Sequence, residues 1–416
     1  MHLMGNTVRN YAWGSRSAFE SLFGWSASDV PQAELWMGTH PGAPSTVELE
    51  EGPVRLDHYM EGVPDSRFHE LPYLLKVLAA EQPLSIQTHP SKARAQRRFA
   101  QEESEGIPRD APFRNYRDDN HKPELIVALT DFAALCGFRD PRDCAHDIHI
   151  LGELVEGEPT LLRGSSSESR RALALLSDLE GIVRAGNLSR ALDTLLRSRR
   201  EDASEAADLA TRAARRFAES PDVIPPAARP ALDTIVLTGE AFPADPGILV
   251  SMLLNRVDLA PGDALFLPAG NLHAYLRGVG VEIMASSDNV LRGGLTSKHI
   301  DVDELLAVTE YSVLRNPRFT PENISEGHAL YRPEVEEFQL ERMTFPTAGS
   351  KRPAASDGPR IVLCISGEAQ VEDPTVPEAA ALTLTPGASA FVSAGEDLKI
   401  SAAEASEVFV AAVPTG

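Results

Sequence analysis

A pattern of twelve residues occurs twice in this chain of 416 residues, and it constrains the fold more than any other feature. Residues 259–270 read LAPGDALFLPAG, and residues 384–395 read LTPGASAFVSAG. Both contain a Pro-Gly pair, a phenylalanine and a closing Ala-Gly, so each predicts a turn, a short buried strand and a second turn. His273 follows the first copy, whereas Leu398 stands at the equivalent place after the second.

A Pro-Gly turn, a short strand, a glycine and then a histidine are typical of cupin-type double-sheet barrels. We therefore expect a bicupin, which consists of two jelly-roll β-barrels. Because the second copy lacks the histidine, we expect the second barrel to bind no metal. Two unrelated hairpins with common turn residues are the alternative interpretation.

Sequence periodicity separates a mainly β part of the chain from a helical part. Short apolar runs between turn residues predict strands, whereas Leu176, Leu179 and Val183 recur at helical spacing with charged residues between them. Asp301 is a suitable N-cap for a further helix. The predicted units are a discontinuous catalytic cupin barrel at 1–140 and 246–315, an α-helical insertion domain at 141–245, and a metal-free cupin-like β domain at 316–416.

The charge balance and the cysteines limit the partners and the compartment. With 39 Lys and Arg against 61 Asp and Glu, the net charge is −22, and no basic stripe is long enough to bind nucleic acid. An anionic substrate therefore needs a local cationic cluster. The three sparse cysteines fit a reducing compartment, and no leader or long apolar segment occurs, so we expect a cytoplasmic protein without a membrane anchor.

The segment SIQTHP at 85–90 places Gln87 and His89 two residues apart. On a strand both side chains point to the same face, and inside a barrel that face is the cavity. Burying two polar groups among apolar neighbours costs free energy unless something binds them, as a metal ion would. A hydrogen-bonded pair without a ligand is the alternative.

Glu124 and His273 complete a candidate metal site. Glu124 begins an apolar strand directly after His121 and Lys122, and such a crowd of ionisable groups favours a functional site over an exposed strand end. Two histidines, one carboxylate and one amide oxygen form a four-ligand set with open positions. We expect one Zn²⁺ per chain, because zinc supplies a Lewis acid without redox change, although iron, manganese or cobalt would also fit these ligands.

Residues 282–298 read EIMASSDNVLRGGLTSK, in which two glycines follow Arg292. Glycines let the backbone approach a ligand closely, and a fixed guanidinium binds a phosphate or stabilises an enediolate oxygen. The alternatives are that Arg292 forms a structural pair with Asp288 and that Lys298 is simply solvated.

Six blocks of the sequence, in order, resemble the type I phosphomannose isomerases. They are YAWGS at 11, AELWMGTHP at 33, LLKVLAAEQPLSIQTHP at 74, NHKPELIVALTDFAALCGF at 120, PAGNLHAY at 268 and ASSDNVLRGGLTSKHID at 285. The resemblance implies an isomerase of carbohydrate metabolism and GDP-mannose biosynthesis. It would interconvert mannose 6-phosphate and fructose 6-phosphate through a metal-stabilised cis-enediolate.

The resemblance also implies roles for individual residues. The implied zinc ligands are Gln87, His89, Glu124 and His273. We assign catalysis to Arg292, His121 and Lys122, and substrate binding to Trp13, Lys76, Ser85, Tyr275, Glu282, Asp288 and Lys298. The base that moves the proton between the first two sugar carbons stays open among His121, Lys122, Glu282 and Asp288.

Two other functions are compatible with the same residues. A bicupin oxygenase would use iron at these ligands, because fold alone does not fix function. A non-catalytic sugar-phosphate sensor would bind ligand in the pocket, but it would not require both Arg292 and the full ligand set. For the isomerase, the expected partner is a small sugar phosphate, with no nucleic acid and no membrane, and the protein is expected to be a monomer or a small homo-oligomer.

Overall fold

The structure is a computed structural model that describes residues 1–62, 68–157, 167–218, 225–356, 358–376, 378 and 380–415. Over these residues the protein is mainly β with a block of helices in the middle of the chain. This agrees with the expectation from the sequence that the chain is mainly β and also contains helices.

Strands and short helices alternate before the helical block. They are β1 (His2–Gly5), β2 (Thr7–Arg9), α1 (Ala18–Phe23), β3 (Glu34–Met37), β4 (Thr46–Leu49), β5 (Gly52–Arg55), α2 (Leu56–Glu61), β6 (Tyr73–Ala80), β7 (Ile86–Thr88), α3 (Lys92–Ser104), β8 (Glu124–Ala128) and β9 (Phe132–Phe138). The block consists of α4 (Pro141–Glu156), α5 (Ser167–Arg184), α6 (Leu188–Arg197), α7 (Arg200–Ala218), α8 (Arg229–Ala241) and α9 (Gly247–Ser251).

Strands again dominate after α9. The next elements are β10 (Leu254–Leu259), β11 (Ala264–Leu267), β12 (His273–Ala285), β13 (Leu291–Gly294) and α10 (Val302–Val308). The last are β14 (Arg318–Phe319), β15 (Glu322–Ser325), β16 (His328–Tyr331), β17 (Gln339–Phe345), β18 (Gly349–Lys351), β19 (Arg360–Ser366), β20 (Ala369–Glu372), β21 (Leu382–Leu384), β22 (Ser389–Val392), β23 (Lys399–Ala402) and β24 (Ser406–Ala412).

The strands form three sheets. The largest runs β14-β11-β8-β12-β6-β3-β2, and β7, β9, β10 and β13 join it through β12. The second runs β15-β16-β17-β24-β19-β22-β1-β4-β5, so it combines N-terminal and C-terminal strands. A small third sheet runs β18-β23-β20-β21.

The two copies of the sequence repeat have the same local structure. Their central strands are β11 and β22, and a turn stands before and after each strand. The turn glycines all have positive φ, at 94° and 80° for Gly262 and Gly270 and at 82° and 85° for Gly387 and Gly395. A residue with a Cβ is strained at such angles. The predicted order of turn, strand and turn is confirmed in both copies.

Strand alternation separates the core from the functional face of the largest sheet. Leu75 and Val77 on β6 lie in a core shared with the second sheet, where they pack with Leu340 and Phe409. The residue between them, Lys76, points to the opposite face, because successive side chains of a strand alternate. On β8 and β12 the same alternation directs Glu124 and Glu282 to the face of Lys76.

The helices cover one edge of the largest sheet. Leu176, Leu179 and Val183 of α5, which carry the predicted helical spacing, are buried in a core that also contains Leu135 of β9. The predicted N-cap is also confirmed, because the side chain of Asp301 accepts a hydrogen bond from the backbone N–H of Glu304. Among the described helices, none has the length and apolar character needed to span a bilayer.

Candidate active site

Three ionisable side chains that lie far apart in the sequence come together at the largest sheet, one just after β7 and the others at the starts of β8 and β12. Ligand atoms of His89, Glu124 and His273 all lie within 4.8 Å of one another, and all three residues are buried. One carboxylate oxygen of Glu124 is 3.5 Å from Nε2 of His89, and the other is 3.2 Å from Nε2 of His273. Two imidazole nitrogens therefore face one carboxylate in a space of the size that a single metal ion needs.

Backbone carbonyl groups fix the orientation of both histidines. Nδ1 of His89 donates to the carbonyl oxygen of Asn289 at 2.8 Å, and Nδ1 of His273 donates to that of Asn271 at 2.9 Å. With the proton on Nδ1, each Nε2 presents a lone pair toward Glu124. Burial lowers the pKa of His89 to about 4, which keeps its imidazole neutral, the form that binds metals.

Two atoms of this group have no hydrogen-bond partner. They are Nε2 of His89 and Oε2 of Glu124, both buried. An unpartnered buried polar atom costs about 1–3 kcal/mol, and a cation between a lone pair and a carboxylate oxygen would remove that cost. The residues therefore fit a zinc ion, and other divalent metals suit the same donor types.

Gln87 lies beside this group because of the strand register. Arg292 on β13 faces Gln87 on β7, and Gln87 faces His273 on β12, so these three residues form one row across three strands. The side-chain amide nitrogen of Gln87 lies 3.4 Å from Nε2 of His273. Because amide oxygen and nitrogen can exchange places by a flip, Gln87 can offer an oxygen to the same point.

Lys122 holds the Glu124 carboxylate in its ionised form. Its ammonium group lies 3.1 Å from Oε1 of Glu124, and both side chains are almost fully buried. Burial alone would raise the pKa of Glu124, but Lys122 and the two histidines outweigh it and hold that pKa well below its usual value.

A second buried charge cluster borders the group of His89, Glu124 and His273, called the metal-type group below. Lys76 lies 2.9 Å from Oε2 of Glu282 and 3.4 Å from Oε1 of Glu34, and Tyr275 donates to Oε1 of Glu282 at 2.8 Å. Burial alone would lower the pKa of Lys76, but Glu282, Glu34 and Glu124 outweigh it and raise that pKa. Burial raises the pKa of Glu282, and the neighbouring carboxylates Glu124 and Glu34 add to this effect.

A cavity of about 180 Å³ opens onto both clusters. Predicted site residues that line it are Lys76, Gln87, Lys122, Glu124, Tyr275, Glu282 and Asp288. His89 and His273 adjoin it through Glu124, whereas Trp13, Ser85, His121, Arg292 and Lys298 are not among its lining residues. The structure thus brings most of the predicted residues together at one cavity.

Several lining residues were missed by the sequence analysis. Glu34 and Trp36 are joined by a hydrogen bond from the indole N–H at 2.9 Å, and His40 lies 3.4 Å from Asp288. That pair holds the pKa of Asp288 below its usual value. The sequence spacing could have identified them, because Glu34 and Trp36 are two residues apart, as Gln87 and His89 are.

His121 has a partner from the C-terminal part of the chain. Its Nε2 lies 2.7 Å from Oε1 of Glu337, and Lys92 approaches the same oxygen at 3.4 Å. Burial alone would raise the pKa of Glu337, but His121 and Lys92 lower it to about 2. Residues beyond the largest sheet therefore contribute to the surroundings of the cavity.

A cationic group lies on the other side of Gln87. Burial lowers the pKa of Arg292, and the charge of Arg117 lowers it further. Burial also lowers the pKa of Lys298, and the charges of Arg292 and Arg117 add to this effect. Within the described part of the chain no carboxylate forms an ion pair with Arg292, since Asp288 pairs with His40 instead. In a chain of net charge −22, this group of three cations is a candidate site for an anion.

Comparisons with known proteins identify the family of this chain. The family profile described as the catalytic domain of type I phosphomannose isomerase matches residues 1–141. The mannose-6-phosphate isomerase of Escherichia coli K12 is 35% identical over 95% of both chains. Mannose-6-phosphate isomerase 1 of Arabidopsis thaliana is 31% identical over 95% of this chain and 89% of its own.

Solved structures give the same result. A crystal structure of a phosphomannose isomerase variant from Salmonella typhimurium superposes with a TM-score of 0.83, at 33% identity and full coverage of both chains. A zinc-bound crystal structure of mannose 6-phosphate isomerase has a TM-score of 0.82, also at 33% identity, over 100% of this chain and 99% of its own.

Within the described residues, the buried site is the candidate metal centre of a metal-dependent enzyme. Relatives that match nearly the whole length of the chain identify its family. The chain belongs to the type I phosphomannose isomerase family.

Proposed function

We propose that this protein interconverts mannose 6-phosphate and fructose 6-phosphate. The observation that carries the proposal is the buried group of His89, Glu124 and His273, with two unpartnered ligand atoms, at a cavity lined with ionisable side chains. Gln87, His89, Glu124 and His273 are the proposed zinc ligands. When bound, zinc would supply a Lewis acid that polarises the carbonyl and hydroxyl oxygens of the open-chain sugar.

The proton is moved between the first two sugar carbons by a carboxylate of the cavity wall. Of the four candidates, Asp288 fits this task best, because it lines the cavity and its carboxylate is half exposed, with His40 as its ion-pair partner at 3.4 Å. Both oxygens of Glu282 are already engaged, by Lys76 and Tyr275. Lys122 stays close to Glu124, where its ammonium group stabilises the negative charge of an enediolate. His121 is bound to Glu337 and acts from outside the cavity.

Arg292 is catalytic in this proposal, either by stabilising the enediolate oxygen or by holding the phosphate group, and Lys298 and Arg117 bind that phosphate. Arg292 stands in the row of Gln87 and His273, so it connects the anion site with the reacting end of the sugar. Ser85 and Trp13 act at the outer part of the substrate site. The guanidinium groups suit a phosphate because they offer fixed, paired donors.

The architecture that we propose is a bicupin with a helical insertion. The catalytic barrel comprises 1–140 and 246–315, the insertion 141–245, and the metal-free second barrel 316–416. The matching turn, strand and turn of the two repeats support this division. The second sheet spans the proposed boundary, since β1 pairs with β22 and the sheet continues from β1 to β4 and β5.

We propose a cytoplasmic enzyme that acts as a monomer or small homo-oligomer and supplies or consumes mannose 6-phosphate for GDP-mannose synthesis. Three buried free thiols support a reducing compartment, and the strong negative charge argues against nucleic acid as a partner.

The test is the formation of fructose 6-phosphate from mannose 6-phosphate by zinc-loaded protein. Chelation should abolish turnover, zinc should restore it, and Gln87→Ala and Arg292→Ala should nearly eliminate it. Arg352→Ala, which removes an exposed arginine paired with Asp397, is the control and should keep full activity. Absence of turnover with zinc bound would contradict the proposal.

A further inference from the structure

Asn289 is a fully buried residue between the metal-type group and the cationic group. Its side-chain oxygen accepts hydrogen bonds from the backbone N–H groups of Arg117 and Asp118, at 2.8 and 3.4 Å. Its side-chain nitrogen donates to both Oδ1 and the carbonyl oxygen of Asp118 and to the carbonyl oxygen of Asn120, at 3.1, 2.8 and 2.8 Å. One amide therefore holds the loop 117–120.

The backbone of the same residue orients a proposed metal ligand. The carbonyl oxygen of Asn289 accepts the proton of Nδ1 of His89 at 2.8 Å, and this contact directs Nε2 toward Glu124. The loop 117–120 leads directly into Lys122 and Glu124. The two parts of the chain that Asn289 contacts, His89 and this loop, therefore both lead to the group of His89, Glu124 and His273.

We propose that Asn289 is a positioning residue that holds His89 and the Arg117 loop as one unit. The inference rests on the proposed function, because it assigns Arg117 to the phosphate of the sugar. Its physical basis is that a buried amide with all its hydrogen-bonding groups used leaves little freedom to the chain around it. Loss of the side chain would release the loop 117–120 and, with it, the peptide that holds His89.

Two substitutions separate the amide's shape from its hydrogen bonds. Asn289→Ala removes the side-chain bonds and leaves a small space. Asn289→Asp keeps the shape, but it loses the donors to Asp118 and Asn120 and adds a carboxylate beside that of Asp118. Since outer partners of metal ligands change metal affinity by about 10- to 100-fold, both variants should bind zinc about 10- to 100-fold more weakly.

Asn255 offers a matched control. It is also an asparagine that fastens backbone, because its side-chain nitrogen donates to the carbonyl oxygens of Cys136, Gly137, Phe138 and Leu314. Asn255→Ala should lower the free energy of unfolding much as Asn289→Ala does, but it should leave zinc affinity near that of the unsubstituted protein.

The experiment measures the zinc dissociation constant by competition with a chromophoric chelator, and the visible absorption of cobalt-substituted protein. Weaker zinc binding and an altered cobalt spectrum in both Asn289 variants, but not in Asn255→Ala, would support the inference. Affinity and spectrum unchanged in Asn289→Asp, or an equal loss of affinity in Asn255→Ala, would overturn it.

A kinetic measurement tests the connection to Arg117. At saturating zinc, Asn289→Ala should still have a raised KM for mannose 6-phosphate, because Arg117 is displaced even when the metal site is full. A KM fully restored by zinc would overturn this part. If the unsubstituted protein binds zinc but does not isomerise the sugar, the proposed function fails while the metal-binding result for Asn289 stands.

Discussion

Lys76 and Glu282 face each other directly across β6 and β12, with the ammonium group 2.9 Å from a carboxylate oxygen and both side chains buried. Trp36 occupies the next position in the same row, and the ammonium group lies 5.5 Å from the centre of its ring. The row sets a buried positive charge beside the cavity, where oxygen atoms of a sugar would develop negative charge.

Removing one member of this pair should destabilise the protein strongly. Lys76→Met leaves Glu282 buried without its counter-charge, and we expect a loss of about 3–5 kcal/mol in the free energy of unfolding. Urea denaturation of the metal-free protein measures it. The double variant Lys76→Met with Glu282→Leu should recover part of the loss, because the carboxylate nearest to Lys76 is removed with it, whereas Glu34 stays buried. If Lys76→Met lowered the free energy of unfolding no more than a substitution of an exposed residue does, the pair would not be needed for stability.

Glu124→Gln should weaken zinc binding without changing the fold. The change keeps the size of the side chain but removes the charge that faces His89 and His273, so zinc affinity should fall by more than tenfold, or about 1.4 kcal/mol. Isothermal titration with zinc gives the value, and the far-ultraviolet circular dichroism should stay unchanged. Full zinc binding by the variant would remove Glu124 from the metal site.

Arg117→Ala and Lys298→Ala should weaken substrate binding more than catalysis. A hydrogen bond to a charged group contributes about 1.5–3 kcal/mol, so each variant should raise KM for mannose 6-phosphate by about tenfold or more, with little change in kcat. Lys399→Ala, whose lysine pairs with Glu372 away from the cavity, serves as the control. A selective fall in kcat would instead assign these cations to the transition state.

Metal-free protein should lose stability as the pH falls from about 6.5 to about 4. His89 has its pKa lowered to about 4 in the folded state, so below pH 6.5 the unfolded chain binds a proton that the folded chain does not. The free energy of unfolding should therefore be about 2 kcal/mol lower at pH 5 than at pH 7 from this residue alone. Comparing the pH slopes of the unsubstituted protein and His89→Gln isolates the effect. Equal slopes would show that His89 has the same pKa in the folded and unfolded states.

The metal-type group was predictable because its residues carry local signals. Gln87 and His89 are two positions apart beside a short strand, Glu124 begins an apolar strand, and His273 follows a repeat. Each signal depends on alternation or on a turn, which a sequence displays directly. The structure then brings His89, Glu124 and His273 within 4.8 Å.

Other parts of the site depend on contacts that no local pattern displays. Asn289 meets the backbone of Arg117 across 172 residues of sequence, and Glu337 meets His121 across 216. Such pairs are set by the order of strands in the sheets and by loops that cross between them. Periodicity locates a strand and its two faces, but it does not name the neighbour of a loop residue.

The pairing of β1 with β22 has a consequence for how the chain is made. β1 leaves the ribosome long before its partner strand β22, because His2 pairs with Phe391. Until then one edge of β1 has no neighbour, and the second sheet stays open. Completion of this sheet therefore comes late, and newly made chains should depend on rapid closure, or on a chaperone, to avoid pairing with one another.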